Sequence, residues 1–443
     1  MTKQTLNTRE IVLEGLLAVL EKGQYEHIVM GQILNKYSYF TKQDRAFITR
    51  LMAGTTEKAY LLDYIIDCHS NTKTIKMKPV IRTILRMSVY QIYFMDGVKD
   101  FAAINEAVNL AKKKGFKNLS GFVNGVLRAA AGAAPEFKLP DEPWLKYSVP
   151  EWLYGRLAGQ YGAAKTEAIL SGFERQDGVT VRMNLSRGKS AEEIMSSLKE
   201  QGIGFKRFKE LNEALILTDF DNLPEIKMFK AGYIQVQDIS SMFAAHAACV
   251  KSGDKVIDVC AAPGGKSLHI ADMLMGTGLV EARDKSEYKL GLIKENLDRT
   301  GFKNMTAKGW DALVFDEEAA EAADIVIADL PCSGLGVLGK KPDIRYRIRE
   351  EDIEALSKLQ RDILSVACRY VKKGGALIYS TCTITREENE DNVKWFTDNF
   401  PFAAEGFDIG IASKKEEAAA GSVKLLPTRN TDGFFIARLK RID

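Results

Sequence analysis

The spacing of apolar positions changes character twice along the chain. Up to about residue 130, the apolar runs keep a helical period. IVLEGLLAVL puts Val12, Leu13, Leu16, Leu17 and Leu20 on one stripe, and Asn7 with Glu10 has capping-box spacing ahead of it. Thr41 stands where it can cap a long helix through FITRLMAGTTEKAYLLDYIIDC. Further helices are predicted around IRTILRMSVYQIYFM, AAINEAVNLAKKKG and LSGFVNGVLRAA. These patterns predict an all-α domain over 1–140. AAAGAAPEFKLPDEP (129–143), rich in proline and small residues, reads as a linker.

From 145 to 235 the pattern is mixed. PEWLYGRLAGQYG reads as helix, VTVRMNL (179–185) as strand, SAEEIMSSLKEQG as a capped helix, and FKRFKEL and ALILTD as strands. From 236 to 443 strand, loop and helix repeat. KVIDVC, GLVEARD, MTAKGWDA, IVIADL and ALIYS are short apolar runs, and FFIARLKR closes the chain as an alternating strand. The expected fold class is multidomain: a helical domain, a small α/β module, and an α/β doubly wound Rossmann-like domain.

Two of these strands end alike. IVIA runs into Asp329-Leu330-Pro331-Cys332-Ser333, and ALIY into Ser380-Thr381-Cys382-Thr383. Loops leaving the carboxyl ends of neighbouring parallel strands share a crevice where ligands bind. One such cysteine is usually packing. Two at matching strand ends, one after Asp-Leu-Pro, point to chemistry.

Charge sharpens the domain picture. Net charge is only +3, but the first 140 residues carry 20 lysines and arginines against 12 acids. Such a surplus suits nucleic acid. Lys112, Lys113, Lys114 and Lys117 cluster at one helix end, where the helix dipole also favours them. None of the six cysteines forms a C-x-x-C pair, and the four histidines lack metal-ligand spacing, so no metal is expected. Early charges argue against a signal peptide, and no uncharged run approaches a membrane span. The expectation is a cytoplasmic, reduced protein, monomeric and without a membrane partner.

Cys260-Ala261-Ala262-Pro263-Gly264-Gly265-Lys266 is a glycine turn between the first strand and its helix. Asp284 ends the second strand, where an acid can bind ribose hydroxyls. A nicotinamide cofactor would fit this much. S-adenosyl-L-methionine fits too and, lacking a pyrophosphate, needs no dinucleotide glycine spacing. Asp311, after the third strand, suits an adenine amine or a helix cap. Cytosine C5 becomes nucleophilic once a thiolate has added to C6, and Asp329 suits the ring's N3/N4 edge. Lys266 adds positive potential nearby. Lys340, Lys341, Arg345, Tyr346 and Arg347 interleave basic groups with a ring, as suits splayed RNA at a pocket mouth. Thr385 and Glu388 have capping-box spacing and read as a helix start that fixes the loop of Cys382.

DVCAAPGGKSLHIA, ADLPCSGLGVLGKKPDIRYR, YSTCTITREENE and LLPTRNTDGFFIARL resemble the signature blocks of the RNA cytosine-C5 methyltransferases of the NOL1/NOP2/Sun family. DRAFITRLMAGT, AAINEAVNLAK and GFVNGVLR resemble the NusB RNA-binding fold. The resemblance covers nearly the whole chain, and this fusion is found in bacterial enzymes acting on small-subunit (16S) rRNA. It implies a class I methyltransferase domain and a target of the cytosine-967 type. It also implies a middle module that positions RNA and, as partner, rRNA that is naked or early in assembly. It makes Cys382 the nucleophile toward C6 and Cys332 the thiol that assists product release. It makes Cys260 to Lys266, Asp284, Asp311 and Asp329 the S-adenosylmethionine contacts. Leu330, Tyr346 and Lys289 depart from the commoner Ala, Trp and Arg. Two other readings stay open: DNA methyltransferases use a Pro-Cys nucleophile, which would make Cys332 attack, and a non-catalytic RNA-binding factor would keep a vestigial catalytic domain.

Overall fold

The computed structural model describes residues 7–174, 178–408, 415–419, 421–429 and 431–443. Asn430, in the last signature block, and residues 1–6 of the helical domain lie outside them. The chain forms two compact units, Met1–Ser171 with Lys340–Ile348, and Gly172–Gly339 with Arg349–Asp443.

In the first unit the longer helices are α1 Thr8–Leu16, α2 Glu26–Lys36, α3 Lys42–Glu57, α4 Ala59–Cys68, α5 Pro79–Phe94, α6 Asp100–Lys113, α7 Ser120–Ala133, α8 Glu151–Tyr161 and α9 Ala163–Ser171. The predicted stripes meet in one core, with Val12, Leu16, Leu51, Leu62, Ile84 and Leu127 buried together. Thr41 caps α3 by accepting from the Asp44 amide. Asn7 caps α1 by accepting from the Arg9 amide at 2.9 Å, and the capping box with Glu10 does not form. Glu10 turns instead to Lys113 at 2.5 Å and Lys114 at 3.1 Å, and Lys114 also pairs with Glu14. Part of the basic cluster is therefore neutralised inside the unit.

The single helix expected across residues 42–68 breaks at Lys58, and residues 340–348 occupy the break. Tyr346 Oη accepts from the Ala59 amide at 3.1 Å and donates to the Glu57 carbonyl at 3.3 Å, while its ring stacks on Tyr60. Arg345 Nη1 donates to the same carbonyl at 3.1 Å, and the Arg347 guanidinium lies 3.6 Å over the Tyr25 ring. Burial pushes the Tyr346 phenol up to about 12. Arg345, Tyr346 and Arg347, expected from the sequence to meet RNA at a pocket mouth, thus make these contacts within the helical unit. They are internal anchors of the helical unit, since their hydrogen-bonding and stacking groups are engaged there. Lys340 and Lys341 stay exposed.

The second unit opens with a 4-stranded antiparallel sheet in the order β2-β3-β1-β4. Its strands are β1 Val179–Met183, β2 Gly204–Arg207, β3 Ala214–Thr218 and β4 Ile234–Val236, with helix α10 Ala191–Glu200 started by a full Ser190/Glu193 capping box. Residues 151–171 belong to the first compact unit. β4, with only three residues, is too short to show a period and was not anticipated.

The larger sheet has the order β11-β12-β13-β9-β8-β5-β6-β7, with β10 paired to β13. Its strands are β5 Lys255–Asp258, β6 Leu279–Asp284, β7 Met305–Gly309, β8 Ala323–Asp329, β9 Val371–Thr381, β10 Phe402–Ala404, β11 Lys415–Ala419, β12 Ser422–Leu425 and β13 Phe434–Arg441. β5 to β9 run parallel, and β13 is antiparallel to β9. Alternate residues feed two cores. Val256, Ile325 and Ile327 pack on one face, and Ile257, Val326 and Ala328 on the other. A sheet buried on both faces explains why its strands read as unbroken apolar runs. Helices α11 Ile239–Ala247, α12 Gly265–Met273, α13 Glu287–Thr300, α14 Glu350–Ala367 and α15 Glu390–Asn399 complete the unit.

Glu213, just before β3, draws two histidines together that sequence spacing left apart. His246 Nε2 lies 2.5 Å and His269 Nε2 3.5 Å from its Oε1. Burial and the nearby Arg182 charge push His269 down to about 3 from its ordinary 6.5. The unfolded chain therefore takes up a proton near pH 6.5 that the folded chain refuses until about pH 3. Stability should be complete above pH 6.5 and fall as pH drops toward 3, by up to ~1.4 kcal/mol per pH unit. Thermal melts across this window should show a shallower slope for His269→Gln than for the unaltered chain. Identical slopes would exclude His269 as the cause.

Candidate active site

The parallel register sets Asp329 of β8 directly beside Ser380 of β9, and the Leu330 amide still donates to the Ser380 carbonyl at 3.1 Å. Two and three residues later the cysteines follow. Cys332 Sγ and Cys382 Sγ stand 3.2 Å apart, both as free cysteines. The hydrogen bond with Cys382 and burial push the Cys332 thiol well above the ordinary cysteine range, with the Cys382 and Glu388 charges adding to the effect.

Asp329 is held from both sides. Ser380 Oγ donates to its Oδ1 at 2.7 Å, and Lys266 Nζ pairs with its Oδ2 at 2.6 Å. The Lys266 ammonium also lies 5.2 Å from the Phe434 ring centroid. Lys266 comes from the glycine turn that follows β5. Gly264 has φ +100°, a conformation that suits glycine, and this lets α12 start at once. The Ala261 amide donates to the Arg283 carbonyl at 2.8 Å and the Gly264 amide to the Ala261 carbonyl at 2.7 Å, so Ala261, Ala262, Pro263, Gly264 and Gly265 form a tight turn beside β6. Ser267 Oγ donates to Asp258 at 2.6 Å, and burial pushes that carboxyl up to about 7. Burial likewise pushes the Cys260 thiol up, so this third cysteine stays protonated.

Asp284 ends β6 as a buried carboxylate that accepts from the Ser286 amide at 3.1 Å. Asp311 follows β7 and accepts from the Leu313 amide at 3.0 Å, making a turn, not the helix cap weighed for it. Cys260, Ala262, Asp284, Asp311, Asp329, Cys332 and Cys382 all line one cleft of about 250 Å³. The sequence-predicted cofactor acids and the paired thiols are thus brought together. Lys340, Lys341, Arg345, Tyr346 and Arg347 are not among the residues lining this cleft.

Sequence reasoning passed over several residues here. Trp310, Leu313, Leu359 and Ile363 also line the cleft. Trp310 stands at a strand end beside Asp311, which was a usable signal. Leu359 and Ile363 look like any apolar pair four residues apart on a helix. The expected capping box of Thr385 and Glu388 does not form. Thr385 Oγ1 donates to Glu388 Oε2 at 2.7 Å, and α15 starts at Glu390 without a side-chain cap. Glu388 is fully buried and reaches back to Ser333.

The chain is similar to known proteins along almost its full length. The family described as 16S rRNA methyltransferase RsmB/F matches residues 247–440, the NusB family matches 6–132, and the ferredoxin-like domain of RsmF/B-like methyltransferases matches 149–222. A Bacillus subtilis (strain 168) protein named "Probable ribosomal RNA small subunit methyltransferase B" is 33% identical, over 98% of this chain and 99% of its own length. The Shewanella oneidensis ribosomal RNA small subunit methyltransferase B is 28% identical, over 98% and 99%. Among solved structures, PH0851 superposes with a TM-score of 0.83 at 27% identity, over 99% of this chain and 100% of that one. NSun6 from Pyrococcus horikoshii, solved with SFG, gives 0.61 at 25% identity, over 66% of this chain and 98% of that one. With helical domain, small module and catalytic domain matched in the same order, the chain belongs to the RsmB/F family of 16S rRNA methyltransferases.

Proposed function

We propose that the protein methylates carbon 5 of one cytosine in small-subunit rRNA through a covalent adduct with Cys382. The observation that carries this reading is the sulfur pair, 3.2 Å apart, in one cleft with Asp284, Asp311 and Asp329. S-adenosylmethionine, bound there, supplies an electrophilic methyl group. The residues fit it. Asp284 is a buried carboxylate at a strand end, suited to ribose hydroxyls, and Asp311 is suited to the adenine amine beside the Trp310 and Leu313 walls. The NSun6 neighbour was solved with SFG, an analogue of this cofactor.

In this reading Cys382 adds as thiolate to C6. A sulfur–carbon bond forms, and the electron pair of the C5–C6 bond becomes available at C5. Asp329 faces the N3/N4 edge, and its pairing with Lys266 keeps the carboxylate fixed. Carbon 5 takes the methyl group and then gives its proton to a base, a role that water admitted to the cleft can fill. The pair left by that proton restores the C5–C6 double bond as the C6–sulfur bond breaks, and Cys382 leaves as thiolate. Cys332, whose sulfur lies 3.2 Å from that of Cys382, can meet the departing sulfur as a hydrogen-bond donor.

The test is methylation of 16S rRNA with labelled S-adenosylmethionine, followed by nucleoside digestion. The expected product is 5-methylcytidine at a single site, of the cytosine-967 type. A labelled uridine, or label on an exocyclic nitrogen, would reject the reading.

Backbone packing behind the thiols gives a second handle. The Gly336 amide donates to the Cys382 carbonyl at 3.0 Å, and the Gly433 amide donates to the Gly336 carbonyl at 2.7 Å. A Cβ at position 336 would lie 2.1 Å from the Gly433 carbonyl oxygen and 2.8 Å from that of Cys382. Both obstacles are backbone, so Gly336→Ala must displace the Cys382 loop. Overpacking of this kind costs ~1–3 kcal/mol, and misplacing a reacting group by about 1 Å costs roughly 100-fold in rate. Thermal melts and methyl-transfer rates should show both losses. Unchanged turnover would mean that the loop tolerates the shift.

A further inference from the structure

We infer that Glu388 and Asn389 are positioning residues that clamp the chain on both sides of each reacting thiol and so hold the two sulfurs at their 3.2 Å separation. This rests on the reading of Cys332 and Cys382 as the reacting thiols. Both clamp residues are fully buried. Glu388 Oε1 accepts from the Ser333 amide at 2.9 Å and from Gln360 Nε2 at 3.1 Å. Its Oε2 accepts from Ser333 Oγ at 2.6 Å. The same Gln360 amide group donates to the Pro331 carbonyl at 2.9 Å. The residue before Cys332 and the residue after it are therefore tied to one carboxylate, directly or through Gln360.

Asn389 does the same for Cys382. Its Oδ1 accepts from Thr381 Oγ1 at 2.6 Å, and its Nδ2 donates to the Thr383 carbonyl at 3.1 Å. The two halves are joined by Ser333 Oγ and Thr383 Oγ1, 2.7 Å apart. A buried carboxylate is an expensive way to begin a helix, since apolar side chains would fill the space without desolvating a charge. What the carboxylate supplies is acceptors for donors on two different loops at once. Consecutive residues, each straddling a different cysteine, make the sulfur separation a property of one rigid segment.

The test compares full-length Glu388→Ala, Glu388→Gln and Asn389→Asp with the unaltered protein. Four quantities are read: the thermal midpoint, calorimetric binding of S-adenosylmethionine, kcat and KM on 16S rRNA, and the alkylation rates of Cys332 and Cys382 by iodoacetamide, resolved by mass spectrometry. Glu388→Ala should lower kcat by roughly 100-fold with cofactor binding kept, as for a misplaced reacting group, and should change the alkylation ratio of the two thiols. Glu388→Gln should recover most of the rate. Its carbonyl can accept from the Ser333 amide and Gln360, while its amide donates to the two hydroxyls. Asn389→Asp keeps the acceptor for Thr381 but loses the donor to Thr383, so it should alter Cys382 alkylation above all, and it decides the matter if the alanine variant does not fold. Unchanged alkylation ratios in all three variants would overturn the clamp. So would parallel loss of melting point, cofactor binding and kcat with no recovery by glutamine, which would mark a purely structural role. If Cys382→Ala still methylates RNA, the functional reading fails, while the alkylation ratios still decide the clamp.

Discussion

Cys382→Ala will lose methyl transfer by on the order of 10⁴-fold or more while still binding S-adenosylmethionine and melting as a folded protein. The size follows from the chemistry. Cytosine C5 carries too little electron density to displace a methyl group unaided, so removal of the group that adds to C6 removes the route, not one favourable contact on it. Cofactor binding should survive because Asp284, Asp311 and the glycine turn belong to β5, β6, β7 and their loops, whereas Cys382 leaves from β9. Cys382→Ser should fall almost as far. A hydroxyl is far less ionised than a thiol at neutral pH, and the group 3.2 Å from this position is another thiol, not a histidine placed to take its proton. Single-turnover assays with labelled cofactor, alongside calorimetry, separate loss of chemistry from loss of binding. Turnover at the normal rate in Cys382→Ala would end the assignment.

The pairing of the two cysteines was legible because it follows from period and register alone. Two apolar runs of similar length, each ending in an acid or hydroxyl and then a cysteine, become adjacent once β8 and β9 pair in parallel with Asp329 beside Ser380. The glycine turn was legible for the same reason, since it follows a strand and opens a helix. The residues at 340–347 were not. Basic groups interleaved with a tyrosine look alike in a solvated RNA-binding loop and in a segment docked on helices. What decides is a gap between α3 and α4, nearly 290 positions earlier, whose Glu57 carbonyl and Ala59 amide accept that docking. No local property of Arg345 or Tyr346 carries that information.

Glu388 shows a different failure. Thr385 and Glu388 have the spacing of a helix start, and a helix does start two residues later, at Glu390. The local rule placed the helix nearly right yet assigned the side chain to the wrong partner. Ser333, the true partner, is 55 positions away, and it becomes available only because the parallel strands bring the two cysteine loops level. Long-range polar partners of buried side chains leave no trace in apolar periodicity. They were recoverable only by asking why an acid should sit in a segment that the fold buries.

Cys332→Ala will trap the protein on its RNA. Addition of Cys382 to C6 does not use the Cys332 sulfur, so the variant should form the adduct and pass the methyl group to C5. Release is another matter. The C6–sulfur bond must break while the C5 proton is lost, and in the unaltered protein the departing sulfur has a thiol donor 3.2 Å away. Loss of a positioned proton-handling group typically costs 10²- to 10⁴-fold, so turnover should fall by about that much while adduct accumulates toward one RNA per protein. The species should survive denaturing electrophoresis, disappear on nuclease treatment, and be absent when Cys332→Ala is combined with Cys382→Ala. The converse pattern, adduct in Cys382→Ala and none in Cys332→Ala, would assign attack to the Pro-Cys thiol.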